Sequence, residues 1–252
     1  MRSTQTFSVF FLAALLAGLL GAQAEEVSLV RADVGYASQY VIRGVARAGM
    51  SGQAALELAK DGFRGGLWTN LPFAGGRERE ADLNAAYAWQ ALVELKLEVS
   101  ARQYWFSNVP ADGTRHSFET ALTATLAPVN GITPSLELAH DFRLRAETLQ
   151  VALGHSFALT GIGAYLDLNC FAGWATGDNW RPDMSGPRRH DSYGYWGAET
   201  HLPYSIGYIV PHSTLVAGLH YADTVGRSIT NGPFGLTKAH KIWVTLGVSL
   251  DF

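Results

Sequence analysis

Counted back from Phe252, the ending HKIWVTLGVSLDF alternates strictly: Phe252, Leu250, Val248, Leu246, Val244 and Ile242 share one parity, and Asp251, Ser249, Gly247, Thr245, Trp243 and Lys241 share the other. A strand points successive side chains to opposite faces, so the pattern predicts a final β-strand with one wholly apolar face. The alternation recurs upstream. ALVELKLEVSARQYW sets Val93, Leu95, Leu97, Val99 and Ala101 against Glu94, Lys96, Glu98, Ser100, Arg102 and Tyr104. SFETALTATLA opposes Phe118, Leu122, Ala124 and Leu126 to Glu119, Thr123 and Thr125; SLELAHDFRLR opposes Leu136, Leu138, Phe142 and Leu144 to Glu137, Asp141, Arg143 and Arg145. TLQVALGHSF and IGAYLDLNCFAGW repeat it, the latter with Asp167 and Asn169 on its polar face. Charges interleaved with aliphatic residues on strand after strand fit a wall between lipid and a wet lumen.

Twelve strands are predicted, near 26–37, 52–60, 62–71, 79–90, 92–106, 115–127, 132–143, 147–158, 162–175, 193–203, 208–222 and 239–252. Short connections carry turn residues: Asp61-Gly62, Trp89 to Leu92, Asn130-Gly131, Thr160-Gly161 and Ser205 to Gly207. Between them lie mostly longer polar or Gly-rich pieces, around 38–51, 71–79, 106–115, 175–192 and 223–238. Alternating long and short connections are the habit of outer-membrane barrels, and an even strand number places both termini in the periplasm. The expected fold is therefore all-β: a transmembrane antiparallel up-and-down β-barrel of about twelve strands.

The start of the chain supports this. Arg2, an apolar run from Phe7 to Leu20 and small residues at Ala22 and Ala24 read as a secretory signal peptide, residues 1–24, cut before Glu25. The run is too short to span a bilayer as a helix. Residues 25–252 then form one barrel domain, exported through the Sec pathway to the bacterial outer membrane. Cys170 is the lone cysteine, so no intramolecular disulfide forms, and the formal charge of −3 gives no reason to expect a nucleic-acid partner. Tyr and Trp favour membrane interfaces. Phe252, Phe157 and Trp89 fall near proposed turns, and Trp174, Tyr221, Trp105 and Trp196 near proposed loops, predicting two girdles. Phe252 with Leu250 and Val248 also resembles the terminal signal read by the barrel-assembly machinery of Gram-negative bacteria.

Three stretches near the start carry a more specific pattern: DVGYASQYVIRGVA, DGFRGGLWTN and READLNAAY. Tyr36, Ser38, Tyr40, Arg43 and Gly44, then Gly62, Phe63, Gly66, Trp68 and Asn70, then Glu80 and Asp82, resemble the TorF family of porins, with Thr69 where that pattern usually has Ser. The likeness covers roughly residues 33–87 and implies an outer-membrane barrel, without settling its function. Arg43-Gly44 admits two readings: a loop folded inward with the guanidinium on lumen carboxylates, or a structural loop anchor. Arg64, Trp68 and Asn70 share the lumen parity, as constriction residues or as filling.

The expected pore lining is Arg43, Arg64, Trp68, Asn70, Asp82, Glu94, Lys96, Glu98, Arg102, Glu119, Glu137, Asp141, Arg143, Asp167 and Glu199. Acids outnumber bases at lumen parity, which leans a pore weakly toward cations. Twelve strands lie between barrels filled by side chains and open channels. The leading function is passive diffusion of small hydrophilic solutes or ions. An alternative is a non-conducting structural or surface-interaction barrel, whose loop 177–193 bears Arg181, Arg188, Arg189 and His190 toward lipopolysaccharide. A third is a lipid-modifying enzyme using His140 or His155, for which no G-x-S-x-G or comparable motif speaks. No catalytic residue and no cofactor are expected. Nor is a metal: the eight histidines are scattered, and His201 and His212 lack partners at ligand spacing.

Overall fold

The computed structural model describes residues 29–73, 79–107, 115–177, 191–225 and 240–252. The expected signal peptide and most of the 177–193 loop lie outside the described residues. The strands are β1 (Leu29–Ala37), β2 (Tyr40–Ile42), β3 (Val45–Ala48), β4 (Ser51–Lys60), β5 (Phe63–Pro72), β6 (Arg79–Leu92) and β7 (Leu95–Ser107). They continue with β8 (His116–Leu126), β9 (Thr133–Asp141), β10 (Ala146–Leu159), β11 (Ala164–Gly177), β12 (Asp191–Ser205), β13 (Ser213–Val225) and β14 (Lys241–Asp251). Twelve of these close into one antiparallel barrel in which β14 returns to β1, while β2 and β3 form a small separate sheet.

Closure is made by the strand that the terminal pattern predicts. β14 runs beside β1 from Arg31↔Asp251 to Ala37↔Thr245. Even the last residue joins the ladder: Phe252 N donates to Val30 O at 2.8 Å, and Val30 N donates to Phe252 O at 3.1 Å. With no free edge, the backbone groups of the wall find their partners within the sheet, the condition for crossing hydrocarbon with strands.

The wall is inside out relative to a soluble protein. Val99, Leu122 and Leu138 form one row across β7, β8 and β9 and face outward, 46%, 42% and 49% exposed. Among the described residues the largest fully buried side chains are instead polar: Asn70, Ser51 and Ser117. Aromatic rings mark both rims, as expected. Trp196 and Tyr221 meet at 5.1 Å between centroids near the long-loop end, where Trp105 and Trp174 are also exposed. Phe63, Tyr87 and Trp89 form a chain of contacts at the short-turn end, with centroids 4.4 and 5.8 Å apart.

Asp61-Gly62 and Asn130-Gly131 are tight reversals with φ positive at both residues (49° and 85°; 52° and 80°), the backbone that two-residue hairpins of matched twist require. Three boundaries differ from the sequence reading. A bulge between Gln90 and Leu92 absorbs a residue, so β6 runs to Leu92 and the chain reverses at Val93-Glu94, stapled by Gln90 Nε2 donating to the Leu92 and Val93 carbonyls. Glu94 thus lies in an exposed turn and not in the pore wall. β9 stops at Asp141 because its carboxylate accepts the N–H groups of Arg143 and Leu144, at 2.9 and 2.8 Å, and bends the chain. Arg143 and Arg145 therefore sit in a turn rather than on the lumen face. β13 begins at Ser213, later than expected: Ile206 O accepts from Ile209 and Val210, and Pro211 offers no N–H to a ladder.

Leu122→Arg, near the middle of β8, is expected to destabilise the barrel in phospholipid vesicles by about 2–4 kcal/mol. Thr123→Arg, facing the lumen beside Glu98 and Glu137, is expected to be tolerated. Denaturant titration followed by the mobility of unboiled protein on gels measures both.

Candidate functional site

The connection between β1 and β4 turns into the barrel. Ser38 first ties it to β14: its N donates to Val244 O at 2.9 Å, and its hydroxyl accepts from Val244 N at 3.0 Å. β2 and β3 then pair as a hairpin whose tip is Arg43-Gly44, with φ of 48° and 75°. A Cβ at Gly44 would lie 2.8 Å from Thr224 Cγ2 and 3.1 Å from Tyr195 Cβ. Glycine is therefore required twice, for its backbone angle and for close approach to the wall.

The hairpin has a landing place on β11 and β12. Val45 buries against Ala175, Tyr193 and Tyr195, with Phe171 packed on the same cluster. Room for it comes from glycine across the ladder: Tyr195 faces Gly173 and Phe171 faces Gly197. A Cβ at Gly173 would fall 2.4 Å from the Tyr195 ring, and one at Gly197 would fall 2.6 Å from Phe171. Both rings accordingly lie along the wall, leaving lumen width for the hairpin.

Charge holds the tip from the other side. Arg43 Nη1 lies 2.8 Å from Glu119 Oε2, and Nη2 lies 3.9 Å from Glu137 Oε1. The Arg43 and Glu119 side chains are only 14% and 10% exposed. Tyr104 donates to the other Glu119 oxygen at 3.1 Å, and the Arg102 guanidinium sits 5.8 Å from the Tyr104 ring centroid. Tyr40 of the hairpin meets Trp68 of β5 at 5.2 Å. Between hairpin and wall lies a cavity of about 560 Å³, lined by Arg31, Asp33, Glu57, Arg64 and Asp82 among others. Arg64 crosses it to Glu98 at 2.6 Å and Glu57 at 3.8 Å. The cavity is thus bordered by fixed charges of both signs.

Of the lining residues expected from sequence, Arg43, Arg64, Trp68, Asp82, Arg102 and Glu137 border this cavity, and Glu98 and Glu119 are ion-paired to it. The others lie elsewhere. Asn70 is fully buried and accepts from Gln53 Nε2 at 3.2 Å. Asp141 is occupied by Ser117, at 2.5 and 2.7 Å, and by its own turn. Lys96 is exposed beside a short turn, and Asp167 accepts from Ser156 at 2.5 Å. Sequence reasoning set Tyr104 on the charged face of its strand and Tyr40 in the first-hairpin motif without counting either in the lining; it missed Tyr193 and Tyr195, which share the parity of Glu199, the signal by which they were findable.

The histidines also need revision. His201 does have a partner: its ring meets His220 at 5.1 Å, on the lumen side of Glu199. His212, by contrast, lies in the β12–β13 turn. His140 and His155 are engaged locally, His140 Nδ1 2.7 Å from Glu147 Oε1 and His155 Nδ1 2.8 Å from Gly131 O.

No protein-family model matches the chain, and no curated protein matches it in sequence. Solved structures match its fold. The NanC porin superposes with a TM-score of 0.53 at 10% identity, over 88% of this chain and 98% of that one. The KdgM porin gives 0.55 at 10% identity, over 88% and 99%. KdgM in complex with disordered oligogalacturonate gives 0.55 at 9% identity, over 89% and 99%. The chain has the closed twelve-strand antiparallel fold of small outer-membrane porins.

Replacing one member of a buried ion pair strands the other charge. Arg43→Met is expected to cost the barrel about 3 kcal/mol, and Arg43→Met with Glu119→Gln to recover most of that loss. Urea unfolding of the two variants beside the unaltered protein provides the comparison.

Proposed function

We propose that this chain is an outer-membrane diffusion channel for small hydrophilic solutes or ions, throttled by its own first loop. The polar cavity between hairpin and wall carries the reading, and the fold shared with NanC and KdgM supports it. In this reading residues 1–24 direct Sec export, Phe252, Leu250 and Val248 are read during barrel assembly, and lipopolysaccharide surrounds the long-loop end. The resemblance to the TorF family rests on the motif residues from Tyr36 to Asp82. Two of them, Arg43 and Gly44, form the tip of the hairpin.

Selectivity follows from the fixed charge in the narrow part. Around the cavity Asp33, Glu57, Glu98, Glu119 and Glu137 face Arg31, Arg43, Arg64 and Arg102, leaving a slight excess of acid and a weak preference for cations. The oligogalacturonate bound by KdgM is a polyanion, and such a ligand class fits this lumen poorly. The buried Arg43–Glu119 pair favours one further reading, in which the docked hairpin seals the barrel and the protein does not conduct.

Planar-bilayer recording of the refolded mature chain separates the two. A throttled channel is expected to give small steps with a reversal potential displaced to the cation side in a salt gradient. Replacing the hairpin with a flexible Gly-Ser linker is expected to give larger steps. Steps in the linker variant alone favour the sealed barrel, and no steps from either protein would refute conduction.

A further inference from the structure

We propose that Glu199, His201 and His220 form a binding site on the lumen wall for a divalent transition-metal ion of the Zn²⁺ class. One ligand atom from each lies within 4.8 Å of the other two, and His220 is buried. Two imidazoles and a carboxylate are a donor set that zinc takes with a fourth position left open. That position faces the lumen. The site is separate from the charge cluster at the hairpin tip, and its occupancy does not depend on whether the barrel conducts.

The strand register builds the site. Glu199 on β12 stands opposite His220 on β13, and His201, two residues further along β12, stands opposite Gly218. A Cβ at Gly218 would fall 2.7 Å from His220 Nε2 and 2.9 Å from His201 Cδ2. The missing side chain thus leaves room for the edges of both imidazole rings. His220 Nδ1 lies 3.4 Å from Glu199 Oε2. This is a long hydrogen bond but close to the roughly 3.3 Å edge of a tetrahedron with bonds of about 2.0–2.1 Å.

A second shell is already in place. The other His220 nitrogen, Nε2, lies 2.9 Å from Thr245 Oγ1, and the indole of Trp243 stacks on the ring at 4.9 Å and 8°. The other Glu199 oxygen, Oε1, accepts from Asn169 Nδ2 at 3.0 Å. The outer atoms of His220 and Glu199 are thus each engaged by a neighbour, and the ligand atoms of all three residues lie close together. Outer hydrogen bonds that fix the tautomer and carboxylate orientation are what metal-binding histidines and carboxylates use.

The test uses the full mature chain, refolded in detergent without a polyhistidine tag, stripped with chelator and titrated with Zn²⁺ by calorimetry. One ion per barrel is expected, accompanied by a rise in the unfolding midpoint. His201→Ala and Glu199→Gln are expected to abolish the saturable binding, and Asn169→Ala or Thr245→Val to weaken it about 10–100-fold. His140→Ala, on the outer face, is expected to leave it unchanged. Gel mobility before and after boiling verifies that each variant is folded. Absence of saturable Zn²⁺ binding, or binding that persists in both folded His201→Ala and Glu199→Gln proteins, would overturn the proposal.

Discussion

A backbone crossing hydrocarbon has no water to satisfy its N–H and C=O groups, and every other property of this molecule follows from that. The sheet must close, so β14 must find β1, and the chain uses its final residues to do so. Once the sheet is closed, alternation leaves each strand with one face toward lipid and one toward the lumen. The apolar side chains are spent on the outside. The inside inherits acids, bases, tyrosines and histidines, which must satisfy one another.

That inversion explains why the lumen is organised by charge and rings rather than by an aliphatic core. Small residues make the interior usable. Gly173 and Gly197 let Tyr195 and Phe171 lie along the wall, Gly44 lets the hairpin tip touch it, and Gly218 opens the space shared by His201 and His220. Glycine weakens a strand, so its placement opposite rings on the lumen face marks where the interior is shaped.

Most of the architecture was legible because a period of two is unambiguous when it recurs in six segments and turns of matched spacing divide the rest. The Asp61-Gly62 and Asn130-Gly131 turns were legible for a different reason: few dipeptides accept two positive φ angles. Boundaries failed where a side chain intervened. The Gln90 amide and the Asp141 carboxylate each moved a reversal point, taking Glu94, Arg143 and Arg145 off the wall. Parity named the lumen face of each strand but not which strands meet across it. The Arg43–Glu119 contact spans 76 residues and the His201–His220 pair depends on register, so neither is a local property of the sequence.

The hairpin belongs to the first connection of the barrel, yet most of what holds it comes late. Its tip touches Glu119 on β8, Glu137 on β9, Tyr195 on β12 and Thr224 on β13. Arg43 thus has no native ion-pair partner until β8 has been laid down, and Gly44 no neighbour on the wall until β12 is in place. Contacts so distant along the chain are slow to form. The hairpin is accordingly fully seated only as the cylinder nears completion, and a barrel arrested before β12 is an open trough whose first loop lacks the tyrosines on which Val45 lands.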